Sequence, residues 1–154
     1  MKITIVAVDL RSPAWAFTAV EDYLTRFPRD WKVELKTVKE EPRHGQSKSN
    51  LMAAEADRIR KAIPKGSLLV TLDERGKDLT TVEFAKKLSA WQDSGESVAF
   101  VIGGTDGIDP ALKQESRMMI RLSSMTLPHA LARVILSEQI YRACTINAGM
   151  KYHK

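Results

Sequence analysis

Ile3-Thr4-Ile5-Val6-Ala7-Val8 is a β-rich run near the start of the chain, and it predicts a buried strand. Ser12-Pro13 reads as a helix N-cap followed by the first helical residue, where proline's missing N–H has no partner to lose. Phe17, Val20, Leu24 and Phe27 then recur at helical spacing and predict one apolar face. Pro28 discourages continuation. Trp31, Val33 and Leu35 alternate with Lys32, Glu34 and Lys36, as in a half-exposed strand.

Lys39 to Asn50 is polar, contains Pro42 and Gly45, and reads as a mobile loop. Loops of about 12 residues are uncommon in compact domains and often functional. A helix is expected from Leu51 to Ile63, ending at Pro64-Lys65-Gly66, and a third strand over Leu68–Leu72. Thr80-x-x-Glu83 has the form of a capping box, in which each side chain satisfies a free N–H at a helix start. Phe84, Leu88 and Trp91 form the stripe of that helix, and Gly95 can end it. Val98–Ile102 carries no polar residue, as parallel strands covered on both faces do. Asp109-Pro110 is a second helix start, a short strand is expected near Ile120-Arg121-Leu122, and Ser123–Pro128 is a loop. A last helix runs from about His129 to Cys144, with a ten-residue tail. The alternation predicts an α/β fold, a mainly parallel sheet flanked by helices, in a single domain over residues 1–154.

The length of 154 residues fits one domain, and 44% apolar with 28% charged residues argues against a mainly disordered chain. The apolar runs at Ile3–Val8 and Val98–Ile102 fall far short of the ~20 residues that span a bilayer. Met1-Lys2 leads directly into a strand, without a signal-peptide layout, so a cytoplasmic protein is expected. A lone cysteine, Cys144, can make neither an internal disulfide nor a multi-cysteine zinc site. Net charge is +5, and its placement matters more than its size. Residues 1–112 carry 17 Lys/Arg and 17 Asp/Glu, so the whole excess lies in residues 113–154. A basic segment points to an anionic partner, nucleic acid first, against the plainer reading of a solvated surface.

Ligands of open α/β sheets bind beyond the carboxyl ends of strands. Three such ends are marked here: Leu72-Asp73, Ile102-Gly103-Gly104 and Leu122-Ser123. The double glycine allows close backbone approach to a ligand, though an isolated pair also serves an ordinary strand-to-helix turn. It matches neither the dinucleotide-binding nor the P-loop pattern. His44, His129 and His153 lie far apart without ligand spacing, so no metal is expected. His129 beside Pro128 reads as a capping or packing residue, and Cys144 as a buried packing residue. The tail Asn147–Lys154 reads by composition as frayed, yet its tyrosine, histidine and lysines are groups that can stack on a base and contact phosphate.

Taken together, Leu68–Asp73 (LLVTLD), Phe100–Gly107 (FVIGGTDG), Leu122–His129 (LSSMTLPH), Leu131–Ala143 (LARVILSEQIYRA) and the terminal Tyr152-His153 resemble the SPOUT-class ribosomal RNA large subunit methyltransferase H family. The resemblance covers essentially the full length. It implies methylation of N3 of a pseudouridine in 23S ribosomal RNA, on assembled ribosomes, with S-adenosylmethionine as donor. It also implies a homodimer and a deep C-terminal trefoil knot, with the knotted cofactor-binding part at about 68–154. By residue, it places the cofactor on Leu72, Gly103, Gly104, Leu122, Ser123, Ser124, Met125, Thr126 and Leu127. Tyr152 and His153, supported by Arg142 and Glu138, would engage the target nucleotide across a composite site. Arg121, Arg133, Lys151 and Lys154 are the candidate RNA contacts. A methyltransferase of the same class acting on another RNA, such as transfer RNA, and a noncatalytic ribosome-binding protein of the same fold are the alternatives. Neither a membrane nor a metal is implied.

Overall fold

A computed structural model describes residues 1–153. The elements are β1 (Lys2–Asp9), α1 (Ala14–Leu24), β2 (Lys32–Lys39), α2 (Lys48–Ala62), β3 (Leu68–Asp78), α3 (Thr81–Asp93), β4 (Val98–Ile102), α4 (Pro110–Glu115), β5 (Met118–Arg121) and α5 (His129–Asn147). The strands form one sheet in the order β2-β1-β4-β3-β5, with every neighbouring pair parallel. Parallel order follows from the crossover helices, which return the chain to the same edge before each new strand.

Strand alternation divides the core in two. Ile3, Ile5 and Ala7 of β1, with Phe100 and Ile102 of β4, pack against Phe84 and Leu88 of α3 and Leu136, Ile140 and Ala143 of α5. Val6, Val8 and Val101 face the other way, onto Ala56 and Ile59 of α2 and Leu112 of α4. All five residues of β4 are buried, because the strand has neighbours on both edges and helices on both faces. Burying each large side chain contributes ~1.5–3 kcal/mol against the entropy of ordering the chain. The last helix, α5, leaves β5 at the edge of the sheet and returns to pack on α1, α3 and β4.

Several boundaries differ from the sequence reading. Pro13, not Ser12, is the N-cap of α1, with no side-chain cap bond. The buried residues of α1 are Ala16 and Val20, while Phe17 stays 47% exposed, so the apolar face is narrower than its spacing implies. α2 begins at Lys48, three residues before Leu51, because the Ser47 hydroxyl accepts from the Asn50 N–H at 3.2 Å. The loop before it is tied down rather than free: Arg43 pairs with Asp106 at 2.7 Å, Arg58 pairs with Glu41, and the Glu41 N–H donates to Glu55 at 3.0 Å. β3 continues past Leu72 to Asp78 through a register shift against β5. α5 runs to Asn147, and its side-chain amide donates to the Ala85 carbonyl at 3.0 Å. The capping box at Thr80 and Glu83 forms as expected, and Gly95 follows α3 at φ +70°.

Candidate active site

β4, β3 and β5 are consecutive neighbours in a parallel sheet, so their carboxyl ends emerge side by side. The turns after β4 and β5, together with the part of β3 that runs past the end of β4, wall one cleft of about 910 Å3, within the usual range for ligand sites. Leu72 to Arg75 come from β3, Ile102 to Ile108 from the β4–α4 turn, and Leu122 to Leu127 from the β5–α5 loop. All nine residues assigned to the cofactor by resemblance therefore stand on one cavity. Leu72, Ile102, Leu122 and Leu127 supply apolar surface, while the turns supply backbone donors and acceptors. Met125 does not cover the cleft floor; it stands at the rim, 77% exposed. The mixture of apolar faces and backbone groups fits a nucleoside donor whose base has two flat faces and polar edges.

The glycines of the β4–α4 turn have a reason the sequence reading missed. A β-carbon on Gly103 would lie 2.7 Å from Ile108 Cγ1 and 2.8 Å from the Gly107 carbonyl carbon. One on Gly104 would lie 2.8 Å from Glu55 Oε1. The turn thus folds back on itself and on α2, and Gly107 completes it at φ +88°. Asp73, beside Leu72, pairs with Lys113 of α4 at 2.6 Å and accepts the Arg75 N–H at 2.8 Å. Partial burial raises the Asp73 pKa, but Lys113 and that N–H outweigh it and hold the carboxyl below its ordinary value.

His129, the first residue of α5, also lines the cleft. Its Nε2 lies 2.7 Å from the Gly103 carbonyl oxygen, which can only accept, so the ring donates from Nε2. Burial, reinforced by the nearby Arg133 charge, holds the imidazole pKa below its ordinary value despite that bond. The sequence reading gave His129 a capping or packing role; the structure places it on the cleft wall, directly after the β5–α5 loop.

A second group forms along the last turns of α5 and the tail. Arg142 Nε donates to Glu138 Oε1 at 2.8 Å, and the Tyr152 hydroxyl donates to the same oxygen at 3.2 Å. The Arg142 guanidinium lies 4.9 Å from the centre of the Tyr152 ring. Tyr152 meets Tyr141 edge-on at 4.9 Å, and Tyr141 meets Phe27 edge-on at 5.5 Å. The tail as far as Tyr152 is docked, not frayed. Burial first, then the Glu138 charge, pushes the Tyr152 phenol above its ordinary pKa, so it remains a donor. His153 is exposed beside it.

This group does not share the cleft within one chain. Ala132 is the last residue of α5 on the cleft, and the ten residues to Arg142 advance about 15 Å along the helix axis. Of the RNA candidates, Arg121 lines the cleft and forks onto Asp78, with Nε to Oδ1 at 2.8 Å, and Lys151 is exposed. Lys154 lies outside the described residues. Arg133 is corrected: it is 1% exposed and donates to the Val8 carbonyl at 2.8 Å, so it supports the fold from inside and does not face a phosphate. Cys144 is a buried packing residue as expected, its thiol pushed up to about 11 by burial.

Among the described residues no group of three or more His, Cys, Asp or Glu is placed to hold a metal ion. No helix among them is long and apolar enough to cross a membrane.

The chain shares its fold with a solved protein from Haemophilus influenzae Rd KW20 described as a probable methylase family protein. The TM-score is 0.61 at 19% identity, covering 99% of this chain and 70% of that one. Closer in sequence is the ribosomal RNA large subunit methyltransferase H of Paracidovorax citrulli, 56% identical over 100% of this chain and 99% of the relative. The protein of the same name from Acidovorax sp. strain JS42 is 55% identical over the same shares. A family model described as predicted SPOUT methyltransferase matches residues 1–153. The parallel sheet, the cleft at its carboxyl edge and these full-length matches lead to one placement: the chain belongs to the SPOUT methyltransferase family.

Proposed function

We propose that this protein transfers the methyl group of S-adenosylmethionine to N3 of a pseudouridine in 23S ribosomal RNA, in the cytoplasm and on assembled ribosomes. One observation carries the reading. Nine residues from three separated segments converge on a single cleft, in a chain 56% identical to a ribosomal RNA large subunit methyltransferase H.

Leu72, Gly103, Gly104 and the run Leu122-Ser123-Ser124-Met125-Thr126-Leu127 hold the donor. When bound, the sulfonium supplies an already electrophilic methyl carbon. The protein's task is then placement of the nucleotide, and positioning of this kind is worth ~7–11 kcal/mol of a barrier. Backbone groups of the β4–α4 turn and the β5–α5 loop read polar edges, while Leu72, Leu122 and Leu127 exclude water from the faces. Tyr152 and His153 engage the target nucleotide, with the Tyr152 ring held by Glu138, Arg142 and Tyr141. Arg142 keeps its positive charge, which the Glu138 bond reinforces, and that charge favours loss of the N3 proton.

The separation along α5 supports a homodimer. A second copy can bring its Tyr152 group to the cleft that one chain holds at the other end of the helix. The return of α5 from the sheet edge to α1 and α3 supports the trefoil threading. Arg121 and Lys151 add salt-sensitive attraction to the RNA backbone. Mass spectrometry of ribosomal RNA from a strain lacking the protein, with and without complementation, tests the reading. The expected result is loss of one methyl group from one 23S pseudouridine and its return on complementation. An unchanged modification profile would overturn it.

A further inference from the structure

We propose that His129 is a positioning residue for the methyl donor, acting by pinning the Gly103 carbonyl and so holding the β4–α4 turn in its binding form. The inference rests on the reading of the cleft as the donor's site.

The bond joins residues 26 apart in sequence, from the first turn of α5 to the end of β4. It is therefore a clasp between two of the three segments that wall the cleft. A peptide unit is planar, so fixing the Gly103 oxygen also fixes the Gly104 N–H in the opposite direction. Glycine peptides need such a fix most, since they lose the most freedom on ordering. The other side of the turn is already set, because Gly103 is packed against Ile108 and the Gly107 backbone. The Gly107 N–H closes the turn by donating to the Gly104 carbonyl at 3.0 Å, and His129 adds the tie from α5.

The clasp requires the ring to donate from Nε2, and the surroundings favour the neutral Nε2–H form. Burial disfavours a charged ring, and so does the charge of Arg133, one turn along α5; Asp9 at the end of β1 and Glu40 of the β2–α2 loop act the other way. His129 Nδ1 is buried without a partner, as are Nε and Nη1 of Arg133. A second ring proton at Nδ1 would meet no acceptor there, whereas a bare lone pair is compatible with the adjacent cation.

The test pairs two substitutions with a spectroscopic readout on the full-length protein. His129→Leu removes the donor; His129→Gln places an amide N–H near the Nε2 position. Calorimetry with S-adenosylmethionine is expected to show about tenfold weaker binding for His129→Leu and near recovery for His129→Gln. Wild-type affinity in His129→Leu, or equal loss in both folded variants, would overturn the proposal. Nitrogen-15 NMR of the wild-type imidazoles is expected to show His129 as the neutral Nε2–H tautomer. An Nδ1–H tautomer would overturn it as well. Absence of donor binding by the wild type would refute the cleft reading instead, and the tautomer would still decide whether the clasp exists.

Discussion

A β-carbon at Gly103 has nowhere to go, since Ile108 and Gly107 already occupy its space. We expect Gly103→Val to displace the turn and weaken S-adenosylmethionine binding at least tenfold, with the proposed dimer intact; calorimetry and light scattering check the two parts. Arg133 shows the opposite pressure, a cation taken into the fold by the strand it serves. Arg133→Ala leaves a cavity and an unpaired Val8 carbonyl and should cost about 3 kcal/mol in urea denaturation. Arg133→Met, which keeps most of the volume, should cost less. Equal losses would mean that volume is not what Arg133 contributes. His129 adds a pH dependence. Its folded pKa lies below the ordinary value of 6.5, so its contribution is complete above 6.5. As pH falls below 6.5 the unfolded chain takes up the proton first, and stability is lost down through the folded pKa. The difference between wild type and His129→Gln in urea titrations over that range isolates the effect.

The strongest elements announced themselves. Val98–Ile102 reads as a buried central strand because nothing polar interrupts it, and Thr80 with Glu83 reads as a helix start because each side chain satisfies a specific N–H. Thr80→Ala should lower stability by about 1 kcal/mol, seen as a drop in Tm. β3 could not be read beyond Leu72. Asp73 to Lys77 looks like a polar turn, and what extends the strand is pairing of Lys77 and Asp78 with Ile120 and Arg121. Gly76 makes that pairing possible, since a β-carbon there would sit 2.5 Å from the Ile120 carbonyl carbon. The tail is a similar case. Its order comes from Tyr141 and Glu138, which a linear reading places eleven and fourteen residues away from Tyr152. Deleting residues 151–154 should preserve donor binding and abolish methylation; full turnover by the truncated protein would return the tail to a fraying role.

Across the molecule the basic excess of the C-terminal part is partly offset by ion pairs and, for Arg133, by burial. Arg121 pairs with Asp78, Arg142 with Glu138 and Lys113 with Asp73, and Arg133 is buried. Net charge over a segment thus overstated the cationic surface open to RNA. The separation of cleft and tail along α5 makes a sharper prediction. Gly103→Val and the tail deletion damage different halves of the proposed composite site. Mixed after subunit exchange, the two inactive proteins should regain about a quarter of the wild-type rate, because half of the dimers are mixed and each has one undamaged site. No recovery would show that cleft and tail act within one chain.

Alternating runs of β-branched and helix-spaced residues were enough to specify an α/β chain with a parallel sheet, because side-chain periodicity is a local property. Gly103 and Leu122 were likewise legible as the residues that follow strand ends, whereas Leu72 lies inside β3, which runs on to Asp78; their assignment to the donor rests on the resemblance. Their convergence was not local. It depends on β4, β3 and β5 becoming neighbours in the sheet, on Gly103 fitting against Gly107, and on α5 carrying His129 to a carbonyl 26 residues away. Burial of Arg133 and order in the tail have the same origin: each is set by partners distant in sequence, whose proximity exists only once the chain has packed.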